Sequence, residues 1–110
     1  MIDPARGAPE GTPLPVLFLY TRDQCHLCDE ARDLLALLLA ERAEARKPVP
    51  RLVERDIDKD DDWLRAYFET VPVVELGDRR LELAVSVSKL RRLFAEVLDG
   101  ETAATAEASG

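Results

Sequence analysis

Apolar and polar positions alternate along the chain with periods that separate strands from helices. The first strong signal is a continuous apolar run from Pro15 to Tyr20, which is typical of a strand covered on both faces. From Cys28 to about Arg46 the apolar residues recur at helical spacing, and Lys47-Pro48 is expected to end that helix. The buried stripe of this helix is predicted to consist of Leu27, Ala31, Leu34, Leu35 and Leu38, broadened by Leu37 and Leu39.

The middle of the chain predicts an exposed strand and a short helix. Arg51 to Ile57 alternates residue by residue and carries charge on both sides, which favours a strand at a sheet edge. Asp60-Asp61-Asp62 then begins a helix that holds the aromatic residues Trp63, Tyr67 and Phe68. Because the helix dipole favours carboxylates at a helix N-terminus, we interpret this run as a solvated cap and not as a metal site.

The last third of the chain predicts a hairpin and a final helix. Val73 to Leu76 and Arg79 to Leu83 are extended runs on either side of Gly77-Asp78, and a glycine that leads a two-residue loop is typical of a β-hairpin. Val87 to Leu98 carries apolar residues on one helical face, and Ser86 or Ser88 is the expected cap.

The predicted order of elements is β-α-β-α-β-β-α, which places the protein in the α/β class. Strands separated by a helix tend to run parallel, and the hairpin adds an antiparallel pair. We therefore expect a four-stranded mixed sheet with helices on both faces and the most apolar strand at its centre. The 110 residues suffice for one domain, predicted over 14–99, with disordered tails over 1–13 and 100–110, where the composition offers little apolar surface to bury.

Charge and hydropathy narrow the classes of partner. The net charge of −7 argues against nucleic acid and against anionic membranes, because both need clustered Lys and Arg. No stretch approaches the roughly 20 apolar residues of a membrane-spanning helix, and no basic segment followed by an apolar one predicts a secretory signal. We accordingly expect a cytoplasmic protein, a monomer, whose partners are disulfide-bearing proteins or small thiols.

Both cysteines of the chain lie in one motif, Cys25-His26-Leu27-Cys28, directly after the first apolar run. In a reducing compartment a C-x-x-C pair between a strand and a helix is more often catalytic than structural. Disulfide exchange needs one thiolate that attacks and a second thiol that resolves the mixed disulfide. Cys25 faces the helix N-terminus and is the predicted nucleophile, whereas Cys28 lies one turn further in and is the predicted resolving thiol.

The helix N-terminus can supply much of the activation that Cys25 needs. It stabilises a nearby anion by about 0.3–1 kcal/mol, and by about 2 kcal/mol in good geometry, which lowers a thiol pKa by at most roughly one and a half units. Arg22, three residues earlier, is a candidate to lower it further. His26 is either a modulator of the thiolate or a solvent-facing residue without a role.

Three other interpretations of the pair stay open. A zinc site wants about four ligands, and the motif offers two cysteines and His26, the only histidine of the chain. A structural disulfide across so short a loop adds little loop-closure entropy. Two unrelated buried cysteines are the third possibility.

The segment Tyr20 to Cys28, followed by a leucine-rich helix and then by Thr70-Val71-Pro72, resembles the glutaredoxin family of the thioredoxin fold. The resemblance spans about Val16 to Leu98. It implies a cis peptide bond at Val71-Pro72 that faces the cysteines. It also implies that Val71 pairs its backbone with an extended substrate, that Thr70 lines the same groove, and that Arg22 contacts a glutathione carboxylate.

The chain departs from the family pattern in three places. His26-Leu27 stands where glutaredoxins usually have Pro-Tyr, and Gln24 stands where thioredoxins usually have Trp. A Gly-Gly pair that receives the γ-glutamyl carboxylate in the family is absent, since this region is Glu82 to Ser86. Gln24, His26 and Ser86 are therefore candidate modulators, with Ser86 as a possible substitute donor.

These observations predict a dithiol–disulfide oxidoreductase that reduces protein or glutathione mixed disulfides. No cofactor is expected to be built in, and glutathione or another low-molecular-weight thiol is the candidate co-substrate. The alternative from another class is a thioredoxin-fold redox sensor or binding module, which would switch between thiol and disulfide without turnover. A protein that carries an iron–sulfur cluster with bound glutathione is a third interpretation.

Overall fold

The first apolar run becomes the central strand of a four-stranded sheet. In the computed structural model, which describes residues 14–100, the strands are β1 (Leu17–Thr21), β2 (Leu52–Asp56), β3 (Val73–Leu76) and β4 (Arg79–Leu81). Their order in the sheet is β2-β1-β3-β4. β1 is parallel to β2 and antiparallel to β3, and β3 is antiparallel to β4. The sheet is mixed, as predicted, and the charged strand β2 lies at its edge.

The helices are α1 (His26–Glu44), α2 (Asp61–Tyr67) and α3 (Val87–Leu98), and a 3₁₀ turn, Ile57–Lys59, precedes α2. Asp60 caps α2, since its side chain accepts from the N–H groups of Asp62 at 2.9 Å and Trp63 at 3.1 Å. Ser86 caps α3 and accepts from the Lys89 N–H at 3.2 Å. No helix in residues 14–100 is long and apolar enough to cross a membrane. The tails predicted over 1–13 and 100–110 lie outside the described residues, apart from Gly100.

Two apolar clusters cover the two faces of the sheet. On one face, Leu17 and Leu19 of β1 pack with the buried sides of α1 and α3. On the other face, Tyr20 packs with Ile57, Val73 and Tyr67 of α2. Successive residues of a strand point to opposite faces, so the alternation within β1 supplies both clusters. The architecture is the α/β arrangement with helices on both faces that the element order predicts.

The buried stripe of α1 differs from the predicted one. Its members are Cys28, Ala31, Leu35, Leu38 and Arg42. Leu27 and Leu37, predicted to be buried, are 40% and 57% exposed. A helix turns about 100° per residue, so Leu37 lies about 200° around the axis from Leu35 and faces solvent. The prediction was wrong because the five leucines between positions 34 and 39 leave the phase of the stripe ambiguous.

Arg42 is the residue that extends this stripe to its end. Its guanidinium is bound to the Asp99 carboxylate at 2.5 Å and donates to the Pro48 carbonyl at 2.7 Å. A buried cation needs such partners, since an unpaired one costs far more than the contacts it makes. The pair ties the end of α1 to the residue that follows α3.

Candidate functional site

Four chain segments meet at the edge of the sheet where β1 ends. Thr21 pairs with Asp56 and Tyr20 pairs with Val73, so the ends of β1 and β2 and the start of β3 share this edge. We call the segments 22–30, 56–62, 69–72 and 82–86 together the cysteine edge. The first two segments are in direct contact, since Arg22 pairs with Asp58 at 3.1 Å.

The last segment is held to the third by two main-chain hydrogen bonds. The Leu83 N–H donates to the Thr70 carbonyl at 3.0 Å, and the Ala84 N–H donates to the Pro72 carbonyl at 2.8 Å. Leu83 has φ +50°, in the left-handed region that favours glycine. The loop that lacks the expected glycine pair thus still takes a conformation in which glycine is the usual residue.

Cys25 lies at the mouth of α1 as its N-cap residue. Its Sγ accepts from the Cys28 N–H at 3.1 Å, and its carbonyl accepts from the Cys28 and Asp29 N–H groups. The N–H groups of His26 and Leu27 have no backbone acceptor within residues 14–100. These donors and the helix dipole favour negative charge on the Cys25 sulfur.

The two cysteines form a disulfide with a Cα–Cα distance of 5.2 Å. Cys25 is half-buried, whereas Cys28 is 1% exposed and lies on the inner stripe of α1. An incoming disulfide can therefore reach only one of the two sulfurs. This asymmetry is the feature of the site on which its chemistry depends.

Gln24 turns the chain from β1 into α1. Its φ is +57°, and Asp23 and Gln24 form the turn that separates Arg22 from the cysteines. A backbone conformation in the left-handed region is uncommon for residues other than Gly, Asn and Asp. Here it sets the direction in which Cys25 enters the helix.

Thr70, Val71 and Pro72 lie on the cysteine edge next to β3. The Val71–Pro72 peptide bond is cis, the isomer that the family resemblance implies. The Val71 N–H donates to the Tyr67 carbonyl at 3.1 Å, and the Val71 carbonyl accepts no backbone hydrogen bond from residues 14–100. The carbonyl is therefore the group that Val71 offers to an extended chain, and its N–H is already used.

Three predicted site residues have partners of their own. Arg22 is paired with Asp58, so its charge is compensated on the edge where a carboxylate was expected to bind. His26 is exposed, and its Nε2 lies 3.5 Å from the Glu30 carboxylate one turn along α1. The Ser86 hydroxyl caps α3 and contacts the Ser88 hydroxyl at 3.3 Å.

A polar network that the sequence did not reveal lies beside the first turns of α1. The Arg32 guanidinium binds both oxygens of Glu54, at 2.9 and 2.6 Å, and also Asp29 at 2.8 Å. The buried Thr21 hydroxyl donates to Glu54 at 2.9 Å. The Arg32 hydrogen bonds hold the pKa of Glu54 below its usual value. Arg32 follows Cys28 by four residues, so this network fixes the turn that carries the inner sulfur.

The sequence indicates only one feature of this network. The alternation of β2 predicts that Glu54 lies on the face of the sheet opposite Arg55. Nothing in the pattern distinguishes a carboxylate bound by Thr21 from one that faces water. The network therefore becomes visible only when the register of β1 against β2 is known.

An aromatic cluster supports the segment that leads to Thr70. The rings of Tyr20 and Tyr67 have centroids 4.6 Å apart, and Trp63 lies edge-on to Tyr20 at 5.7 Å. The Arg55 guanidinium lies 3.7 Å from the centre of the Phe18 ring and donates to the Tyr20 hydroxyl at 2.8 Å. α2 is only two turns long, and these contacts anchor it against the sheet.

The Tyr20 phenol is expected to ionise late in an alkaline titration. Burial and then the hydrogen bond to Glu75 raise its pKa above the ordinary value. Because the folded state prefers the neutral phenol, this stabilisation is present below about pH 10 and is lost as the pH rises through the raised folded-state pKa. The difference between the phenolate absorbance of the native oxidised protein and that of Tyr20→Phe isolates this group, and its midpoint should lie above about pH 10. A midpoint at or below about pH 10 would contradict the assignment.

Residues 14–100 contain no group of three or more His, Cys, Asp or Glu side chains that is arranged to hold a metal ion. The acidic run at Asp60–Asp62 caps α2 instead. Within this part of the chain, the groups with redox chemistry are the two sulfurs.

Comparison with known proteins agrees with this geometry. The family model described as glutaredoxin-like domain (DUF836) matches residues 16–97. The X-ray structure of target protein XcR50 from X. campestris is 32% identical to this chain. The match covers 74% of this chain and 97% of that chain, with a TM-score of 0.59.

More distant structures share the fold alone. The germline-specific thioredoxin Deadhead from Drosophila melanogaster is 20% identical, with a TM-score of 0.52 over 74% of this chain and 79% of that chain. A malarial protein is 19% identical, with a TM-score of 0.54 over 77% of this chain and 98% of that chain. No curated protein gives a significant match. The fold and the C-x-x-C pair at disulfide distance support a redox function in general.

Proposed function

This chain belongs to the glutaredoxin-like domain family, and from that premise we propose that it is a dithiol–disulfide oxidoreductase. Its substrates are protein or glutathione mixed disulfides, with Cys25 as nucleophile and Cys28 as resolving thiol. The observation that carries the proposal is the unequal exposure of the two sulfurs. Cys25 is accessible at the mouth of α1, and Cys28 is 1% exposed behind it.

The reaction exchanges one disulfide for another. The Cys25 thiolate attacks one sulfur of the substrate, the substrate S–S bond breaks, and the departing thiolate takes a proton from water. The Cys28 thiolate then attacks the Cys25 sulfur, which releases the second substrate thiol and forms the Cys25–Cys28 disulfide. Two electrons pass from protein to substrate. Two molecules of a low-molecular-weight thiol such as glutathione then reduce the Cys25–Cys28 disulfide and leave as their own disulfide.

The chain's own residues supply access, orientation and charge stabilisation. The Cys28 N–H, which donates to the Cys25 sulfur, and the N–H groups of His26 and Leu27, which have no backbone acceptor within residues 14–100, favour negative charge at this end of α1. The Val71 carbonyl is placed to accept from an extended substrate, with Thr70 and Pro72 on either side. We further propose a cytoplasmic monomer that binds no nucleic acid and no membrane.

A trapping experiment tests the assignment of the two thiols. Reduced Cys28→Ser protein, mixed with a peptide closed by an internal disulfide, should accumulate a covalent adduct on Cys25 because the resolving step is blocked. The native protein should instead release the reduced peptide. Intact mass and peptide mapping after acid quench distinguish the two results.

Two outcomes would count against the enzyme. An adduct found on Cys28 in Cys25→Ser protein, at the rate seen for Cys25, would reverse the assignment. If neither the peptide nor glutathione disulfide reacts while the internal disulfide still forms and alters binding to a partner, the protein is a redox sensor.

A further inference from the structure

The acidic charge of the protein is concentrated where the disulfide lies. The four segments of the cysteine edge hold ten acidic residues and two basic ones, Arg22 and Lys59, so they carry more negative charge than the −7 of the whole chain. The acidic residues are Asp23, Asp29, Glu30, Asp56, Asp58, Asp60, Asp61, Asp62, Glu69 and Glu82. The remainder of the protein is close to neutral.

Ion pairs remove only part of this charge. Asp58 is paired with Arg22, Asp29 with Arg32, and Asp62 with Arg65 at 2.7 Å. Asp23, Asp61, Glu69 and Glu82 are exposed and form no ion pair with another residue of 14–100. These four residues belong to four different segments. Asp23 lies two residues before Cys25, and Glu82 lies within electrostatic reach of Arg80. The four carboxylates belong to the segments that meet at the edge of the sheet where Cys25 lies.

The same edge exposes apolar surface. Leu27, between the two cysteines, is 40% exposed, and Leu83, bound through its N–H to Thr70, is 51% exposed. A small polar thiol can bury little of this apolar surface, whereas the side chains of a polypeptide can cover it. On the same edge, the Val71 carbonyl accepts no backbone hydrogen bond from residues 14–100 and so offers an acceptor to the main chain of a polypeptide.

We propose that the physiological disulfide belongs to a cationic polypeptide, with Lys or Arg beside its cysteines, that lies extended along Thr70 to Pro72. This inference rests on the proposed function and narrows its substrate class. The redox disulfide on this edge requires a partner that carries a disulfide. The carboxylates on the same edge favour a partner with positive charge. Glutathione carries two carboxylates against one ammonium group, and Arg22, the cation nearest Cys25 in sequence, is already paired with Asp58.

Two matched peptides test the selection. Each contains one internal disulfide, flanked by Lys in one peptide and by Glu in the other, and each is reduced by the fully reduced protein in a single turnover. The rates are normalised to those with a small uncharged dithiol, which corrects for the intrinsic reactivity of each peptide. In about 0.1 M salt, where the Debye length is about 10 Å, we expect the Lys peptide to react about tenfold faster. In about 1 M salt the ratio should approach one.

Two double variants locate the effect. Asp23→Lys/Glu82→Lys should reduce the tenfold ratio to about two, because it reverses the charge of two exposed carboxylates on the edge. Glu44→Lys/Asp78→Lys changes the net charge equally but should leave the ratio unchanged. Glu44 ends α1, about 27 Å along the helix from His26, and Asp78 lies in the β3–β4 turn at the opposite end of the sheet.

The outcomes separate this inference from the proposed function. Equal normalised rates for the two peptides, or a preference that survives about 1 M salt, would overturn the cationic selectivity and leave the oxidoreductase intact. Failure of the native protein to reduce either peptide would overturn the oxidoreductase. An equal response of both double variants would show that net charge, and not the cysteine edge, sets the preference.

Discussion

Replacing Cys25 with serine is expected to lower the rate of disulfide reduction by about 10³-fold. Cys28 is 1% exposed, so it can meet a substrate only after the first turn of α1 opens. Such a local opening is expected to cost about 4 kcal/mol, a free energy between that of a fraying chain end and that of global unfolding. At about 1.4 kcal/mol per factor of ten, this cost corresponds to a rate about 10³-fold lower. The measurement is the single-turnover rate of peptide reduction by prereduced protein.

Serine is expected to preserve the fold in the Cys25→Ser variant, so its rate of disulfide reduction can be compared directly with the native rate. The Cys25 sulfur accepts a hydrogen bond from the Cys28 N–H at 3.1 Å, and serine is among the best residues at an N-cap. Cys28→Ser is the matched control. It should keep the rate of adduct formation within a few-fold of the native rate, because only the second step is removed. Equal losses in both variants would mean that the two sulfurs have no distinct roles.

Periodicity and one motif predict most of the fold from the sequence. The apolar run predicts that β1 is central, the charged alternation predicts that β2 lies at an edge, and the Gly77-Asp78 turn predicts the antiparallel β3–β4 pair; the structure confirms all three. These signals are local, because each depends on residues that are neighbours in one element. The placement of Cys25 before α1 follows from the same reasoning, since the strand ends and the helix begins on either side of it.

The site is less predictable because it is assembled from distant segments. Arg22 meets Asp58, and Glu54 meets Thr21, only once β1 and β2 are paired in register. Along the sequence, the pattern around these acidic residues predicts only separate helix caps and solvated turns. Their concentration around one sulfur becomes apparent when the sheet brings the four segments to one edge.

The largest error of the sequence-based prediction concerns which face of α1 is buried. The helix buries Cys28, Ala31 and Leu35 on one stripe, whereas the prediction began that stripe at Leu27. A leucine-rich helix offers several stripes of similar hydrophobicity, and packing against the sheet decides between them. Arg42 completes the observed stripe, and no apolar pattern would have placed an arginine there.

Leu35→Ala is therefore expected to lower the free energy of unfolding by about 2–5 kcal/mol, and Leu37→Ala by no more than about 0.5 kcal/mol. Leu35 is fully buried in the cluster between the sheet and the two long helices, so truncation leaves a cavity. Leu37 is 57% exposed, and alanine is at least as favourable in a helix. Urea unfolding of the oxidised proteins, with unchanged m-values, measures both.

The same pair of variants tests the chemistry indirectly, because one helical phase buries both Leu35 and Cys28. The two residues lie seven positions apart, two turns along one face of α1. If Leu37→Ala proved as damaging as Leu35→Ala, the helix would be rotated from its position here, and Cys28 would move away from the interior. The shielding on which the proposed role of Cys28 as resolving thiol rests would then be lost, and the proposed assignment of the two sulfurs with it. A large difference between the two leucines instead requires the phase in which the substrate meets Cys25 first.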